Sequence, residues 1–354
     1  MTRRTAWTFA TLLSIAATAT TAHAIDRVFR KSDPKPAIGS ITSVTKDDLT
    51  IKPGVSTAVK IPANDIASVE WEGERPQMKI ARNSEKSGRF EDALTKYAEE
   101  LKQAGTKARL KADIQFLIAR TTAKIALADP KRLDEAATKL EAFRKANGTN
   151  FRYYECLGYL GEIYLIKKDA TNAKAIFTLM AVAASADVKL SARNSSARLL
   201  LQQDDVAGAL KEYQAVVAAA GTAKTAAELS RKYEAMLGTA TCLQQQKKYD
   251  EAVKALDDVI TQVSPQDTKI QAGAYLRQGD CLQALGKPKD ALLAYLHVDV
   301  LFSSHPGLHA ESLFHLAKLW KSVGREDRAT EAAAKLEQDY PNSEWKAKLA
   351  SSGG

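Results

Sequence analysis

From residue 77 to about residue 350 the apolar positions recur at the three-to-four-residue spacing of amphipathic helices, and a longer pattern repeats across them. A small residue on one helix is followed twelve positions later by Ala on the next helix, and usually four further on by a bulky residue. Gly161, Ala173 and Phe177 form one such set. Ala81, Ala93 and Tyr97 precede it, and Ala197, Ala209 and Tyr213, then Ala240, Ala252 and Leu256, then Gly279, Ala291 and Tyr295, then Ala317 and Ala329 follow. A degenerate unit surrounds Ala136 and Leu140, with Ala123 one place out of register. The second-helix alanines Ala93, Ala136, Ala173, Ala209, Ala252, Ala291 and Ala329 are separated by 36 to 43 residues, which predicts about seven stacked helix–turn–helix units. Two helices folded back on each other need small residues where they cross. Gly161 is therefore expected against Ala173 despite a cost of up to about 1 kcal/mol in helix propensity, with Phe177 or Tyr213 covering the next unit. Short polar turns such as "KSGRF", "QQDDV", "QKKYD", "LGKPK" and "SVGRE" separate the helices.

Residues 37–72 have a different period. "GSITSVTKD", "DLTIK", "TAVKIP" and "IASVEWEG" alternate with period two between turn-forming "KDD", "KPGVS" and "PAND". They predict four short antiparallel strands in a module spanning 37–75, similar to a small SH3-like or Sm-like barrel. So few residues bury too little to stand alone, so Ile66, Val69 and Trp71 are expected to dock on the first helices. Residues 25–36 read as an extended lead-in, and the helical domain as 76–350.

The helical pattern resembles the tetratricopeptide repeat family. Leu160, Gly161, Tyr164, Ala173 and Phe177 follow its Leu-Gly-x-x-Tyr … Ala-x-x-x-Phe signature. "QKKYDEAVKAL" and "SGRFEDALTKY" match the start of its second helix, and Pro341 matches its closing proline. The resemblance implies an α-solenoid, a right-handed superhelix whose concave wall is built from first helices. Ligand contacts carried over from the family fall on Glu162, Arg198, Gln202, Thr241, Gln244, Gln245, Asp280, Gln283, Lys318 and Lys321. The basic and amide arrangement that clamps a C-terminal carboxylate in some members is absent.

Residues 1–24 change the setting. A basic "MTRR", an apolar stretch of about 15 residues, too short to span a membrane, and the small-x-small "AHA" at Ala22–Ala24 read as a cleaved signal peptide. The chain is thus expected to be exported, periplasmic or secreted, with no transmembrane segment after cleavage. Its formal charge of +9 falls to +7 without Arg3 and Arg4, and the charges are interleaved, which disfavours nucleic acid as a partner. Cys242 and Cys281 occupy equivalent places in neighbouring units, as two buried thiols or as a disulfide.

No phosphate loop, nucleophile elbow, Cys-x-x-Cys or His-Glu-x-x-His occurs. His305, His309 and His315 fall at a loop and on different helix faces, a poor metal set. Carboxylate pairs such as Asp204/Asp205 and Glu99/Glu100 read as solvated charges. No catalytic residue, metal site or cofactor is therefore expected. The sequence points to a non-enzymatic interaction scaffold of the bacterial envelope, holding a protein or peptide in its groove. The alternative is an adaptor that meets an anionic cell-wall polymer or membrane surface through the basic chain and the β module.

Overall fold

A computed structural model describes residues 25–223 and 225–352; the signal-peptide assignment lies outside the described residues. The N-terminal module is a five-stranded antiparallel sheet of β1 (Asp26–Arg30), β2 (Ala37–Val44), β3 (Asp48–Lys52), β4 (Val59–Pro62) and β5 (Ile66–Glu70), in the order β4-β3-β2-β1-β5. Alternation puts Val28, Ile41, Leu49, Ile51, Ile61, Ile66 and Val69 on one buried face. The module begins earlier than the alternating runs imply. The stretch read as a lead-in supplies β1, which pairs with both β2 and β5. Only Val28 of its apolar residues is fully buried, and charged residues hold three of the five positions, so the run carried little hydrophobic signal. What anchors it is polar: the Asp26 carboxylate accepts the backbone N–H of Ile41 (2.8 Å) and of Glu72 (2.7 Å).

Fourteen helices then alternate in seven antiparallel pairs. They are α1 (Pro76–Lys86) and α2 (Phe90–Gln103), α3 (Ala108–Ala128) and α4 (Leu133–Ala146), α5 (Tyr153–Ile166) and α6 (Ala170–Ala181), and α7 (Ala186–Gln202) and α8 (Val206–Ala219). They continue with α9 (Ala226–Gln245) and α10 (Tyr249–Gln262), α11 (Thr268–Ala284) and α12 (Pro288–Leu301), and α13 (Pro306–Ser322) and α14 (Glu326–Asp339). A last helix, α15 (Glu344–Ser352), packs on α13 and α14 and covers the end of the stack. Ala93, Ala136, Ala173, Ala209, Ala252 and Ala291 are all fully buried, as their repeat requires.

The contact at the small positions differs from the one expected. A Cβ on Gly161 would sit 2.5 Å from the ring of Phe177, so the glycine makes room for the aromatic of its own pair rather than for Ala173. Gly279 does the same for Tyr295. Tyr213 instead crosses to the next unit, where its ring fills the space beside Gly238. Phe177, Tyr295 and Tyr213 are thus each held by a glycine-sized gap, either in their own unit or in the next.

The β module is embedded in the array. Trp71 docks as expected: its Nε1 donates to Asp113 of α3 at 2.9 Å, and its ring lies 6.3 Å from that of Phe151. Val69 faces the sheet core, and it is its carbonyl that meets the helices, accepting from Arg82 of α1 at 2.8 Å. Asn64 reaches Asp187 of α7 at 2.8 Å. Among the described residues no helix is long and apolar enough to cross a membrane.

Candidate functional site

The first helices carry two polar bands with different histories. One is internal. Asp113 also accepts from Arg152 (3.1 Å), Arg152 donates to Glu155 (3.0 Å), and Arg120 spans from Glu155 (3.1 Å) to Glu85, which it grips through two bonds of 2.8 Å. Glu85 further accepts from Lys124 and from Tyr97, each at 2.9 Å. Burial alone would raise the Glu85 carboxyl, but Arg120 and Lys124 outweigh it and hold it down to about 2. Every charge in this chain is paired, as buried charges must be, and it ties α1, α3 and α5 to the β module.

The other band holds the ten groove positions carried over from the family. Glu162 and Arg198 bond each other through two contacts of 2.7 and 2.8 Å, bridging α5 and α7. Gln202 donates to the carbonyl of Leu165 at 3.1 Å, closing the end of α5. Thr241 bonds back to Leu237 at 3.0 Å. Asp280 accepts from Tyr295 (2.8 Å) and pairs with Arg277 (2.7 Å), while Gln283 lies 3.4 Å from the same Tyr295 hydroxyl. Lys318 sits over the Phe314 ring at 5.3 Å. The side chains of Gln244, Gln245 and Lys321 make no bond to any described residue. Gln202, Gln244, Gln245, Gln283 and Lys321 all lie in the last turn of their helices, on one rim of the array.

The cleft opens on the other side, where the β module faces the starts of the first helices. It encloses about 380 Å³ and is lined by Lys31, Lys46, Asp47 and Asn64 from the module, Tyr154, Glu155 and Glu162 from α5, Asp187 from α7, Arg231 from α9 and Lys269 from α11, over an apolar floor that includes Phe151 and Met180. Of the ten carried-over residues only Glu162 lines it. Three buried atoms in it have no hydrogen-bond partner: Tyr154 Oη, Asp47 Oδ1 and Arg231 Nε. Tyr154 lies two helical turns before Gly161, a spacing that places it on the inner wall once the repeat frame is known. Nothing in the sequence ties Lys46 to Lys269, because the cleft exists only once the solenoid has curled around the module.

Other candidates resolve as structure. Cys156, Cys242 and Cys281 are buried free thiols, and burial pushes those of Cys242 and Cys281 up to about 11. His309 is enclosed between the Tyr340 hydroxyl (2.6 Å) and Asp299 (2.7 Å). Asp205 caps α8 through the N–H of Gly208 (2.8 Å). Glu100 departs from its reading as a solvated charge: it is buried and paired with Arg75 at 3.2 Å. No group of three potential metal ligands occurs among the described residues.

Residues 194–267, from within α7 to the end of the loop before α11, match the family model described as tetratricopeptide repeat. Among solved structures, the chain is similar to a tetratricopeptide repeat protein from Parabacteroides merdae ATCC 43184, at 15% identity over 77% of this chain and 95% of that one, with a TM-score of 0.53. It is similar also to a Rap protein complexed with Competence and Sporulation Factor, at 15% identity over 77% of this chain and 78% of that one, with a TM-score of 0.54. Likeness at this identity establishes the fold. No curated protein matches the chain. Residues 194–267 thus match the tetratricopeptide repeat model, and the chain as a whole has the fold of a tetratricopeptide-like helical repeat array.

Proposed function

We propose that the protein is a non-enzymatic scaffold of the bacterial envelope that holds a protein or peptide segment against the concave wall of its repeats. The observation that carries this reading is the unequal satisfaction of polar groups. Charges between the first three helix pairs are bonded to one another, whereas the Gln244, Gln245 and Lys321 side chains and three buried atoms of the cleft have no hydrogen-bond partner among the described residues. Polar groups held in place without partners are what a binding wall presents before it is filled. The similar Rap structure carries Competence and Sporulation Factor on the same fold, which is consistent with a proteinaceous occupant here. The envelope setting rests on residues 1–24, and mass spectrometry of the mature chain, together with fractionation, tests it: a chain starting at Ile25 in the periplasmic or secreted fraction is expected.

Binding is tested with a photo-crosslinking amino acid placed in living cells at Gln244, on the wall, or at Glu251, on the exposed face of α10. A discrete adduct from position 244 and none from 251 supports the reading. Equal adducts from both positions, or none from either, overturn it.

A further inference from the structure

The cleft itself has a chemistry that defines its occupant more narrowly. Tyr154 lines the cleft, is only 7% exposed, and has a buried hydroxyl with no hydrogen-bond partner. Asp47 Oδ1 and Arg231 Nε share that state. A buried polar group left unbonded costs roughly 1–3 kcal/mol, so three in one cleft mark a place built to receive donors and acceptors. The charges around them are unbalanced. Glu155 is ion-paired with Arg120 and Arg152 and Glu162 with Arg198, whereas among the described residues Asp187 is bonded only by the neutral Asn64 and Ser185 side chains, so no cation offsets its charge. Lys46, lying 5.7 Å from the centre of the Tyr154 ring, and Lys269 have no ion pair among the described residues. Among the described residues the Lys31 ammonium bonds only the Asn64 carbonyl, at 2.7 Å. Three lysines without an ion pair therefore stand against two such carboxylates, those of Asp47 and Asp187.

We propose that this composite cleft, made jointly by the β module and the starts of α5, α7, α9 and α11, receives a short acidic stretch of an extended partner polypeptide. This deepens the scaffold reading above and rests on it. An acceptor (Asp47), a donor (Arg231) and a hydroxyl that can do either (Tyr154) match the alternating N–H and C=O groups of a peptide backbone. A bare anion has no donor to offer Asp47. Acidic side chains on the stretch reach Lys46 and Lys269, while Phe151 and Met180 form an apolar floor. The protein's own first 24 residues contain basic side chains and no Asp or Glu, so their charge is wrong for this site.

The test is selection of a random library of peptides of about twelve residues, a length that spans such a cleft when extended, on mature residues 25–354. Parallel baits are K46E/K269E, altered only at the rim, and Y154F, with circular dichroism confirming that each is folded. Enriched peptides rich in Asp and Glu are expected, with affinity falling about tenfold or more in K46E/K269E, severalfold in Y154F, and with added salt. Failure to enrich any peptide, selection without acidic bias, or undiminished binding to folded K46E/K269E overturns the proposal. So does displacement of the peptides by inorganic phosphate at equal charge concentration. Adducts from position 244 that survive in K46E/K269E, alongside an inert cleft, would retain the scaffold and remove this site alone.

Discussion

Between β1 and α7 one apolar core runs unbroken from Val28 to Leu199, whereas beyond it the interior divides into three smaller clusters, around Tyr213, Leu256 and Tyr295. The polar contacts divide in the same way. In the N-terminal half, Asp113, Arg152 and Glu85 are buried within one connected chain of bonds. In the C-terminal half the polar links are smaller clusters, such as Arg277 with Asp280, Glu311 and Tyr295, confined to α11, α12 and α13. The same repeat thus yields two mechanical regimes. Where a sheet is laid into the curve, neighbouring units share a core and unfold together. Where it is not, each unit holds only its neighbour, as in a quasi-one-dimensional array.

The strongest way to break this comparison is Asp113→Ala. It leaves the Trp71 Nε1 without its acceptor and Arg152, which is 2% exposed, with Glu155 as its one remaining carboxylate. Removing one partner of a buried pair typically costs about 3–5 kcal/mol. Hydrogen exchange should accelerate together from β1 to α6 while α11–α14 keep their protection. The matched change Asp280→Ala, at a carboxylate nearer solvent, should cost less and stay local to α11–α13. Equal losses, or acceleration throughout the chain in both variants, would mean that the two halves are one cooperative unit.

Acid acts with opposite sign on two buried carboxylates, Glu85 in the N-terminal half and Glu311 in the C-terminal half. In the folded protein the Glu85 carboxyl titrates at about 2 against an ordinary 4.5, because Arg120 and Lys124 overcome the effect of burial. A depressed carboxylate stabilises fully above its unfolded value, and that stabilisation disappears as pH falls from about 4.5 towards 2. The amount is about 3 kcal/mol. Glu155 is shifted in the same direction, burial again being outweighed, here by Arg152 and Arg120. Glu311 in the C-terminal half goes the other way. Burial holds its carboxyl above the ordinary value despite Arg277, so protonation there favours the folded state. Urea midpoints followed through Trp71 should therefore drop steeply with acid, and E85Q should flatten that slope.

How much of this could be read from the chain depends on whether a contact is local or crosses the fold. The helix pairs were legible because small residues such as Gly161 and Ala209 must recur at the crossings whatever the partner. The identity of the crossing was not: Phe177, sixteen residues on, fills the gap beside Gly161, and spacing alone does not tell it from Ala173. β1 escaped because its register is held by Asp26 rather than by an apolar run. The cleft was illegible because its lysines come from a sheet loop and from α11, joined only by the curl of the solenoid. Glu162 alone was common to the carried-over groove and the cleft.

A smaller effect comes from Gly279→Ala. Its Cβ would lie within 2.8 Å of three ring atoms of Tyr295, a fully buried ring that Asp280 tethers through the hydroxyl. Overpacking of this kind costs about 1–3 kcal/mol, reduced by the better helix propensity of Ala. Gly161→Ala meets only one ring atom below 3.0 Å, and Phe177 has no hydroxyl to tether it. Its loss should be the smaller of the two, as thermal melts of both variants would show.

The smallest change asks the sharpest question. The turns after α5 and α9 end on Lys168 and Lys247, both left-handed at φ 56° and 61°, where equivalent turns use Gly286 and Gly324. A side chain in that region costs roughly 1 kcal/mol, so Lys168→Gly and Lys247→Gly should each stabilise by about that amount or less. The gain should spread differently. In the shared core, K168G should slow exchange from the β module to α6 together. In the array, K247G should slow it only in α9, α10 and their immediate neighbours. A K247G effect that reached β1 undiminished would show that stability passes freely along the whole solenoid. The embedded sheet would then add contacts to the first units without setting them apart.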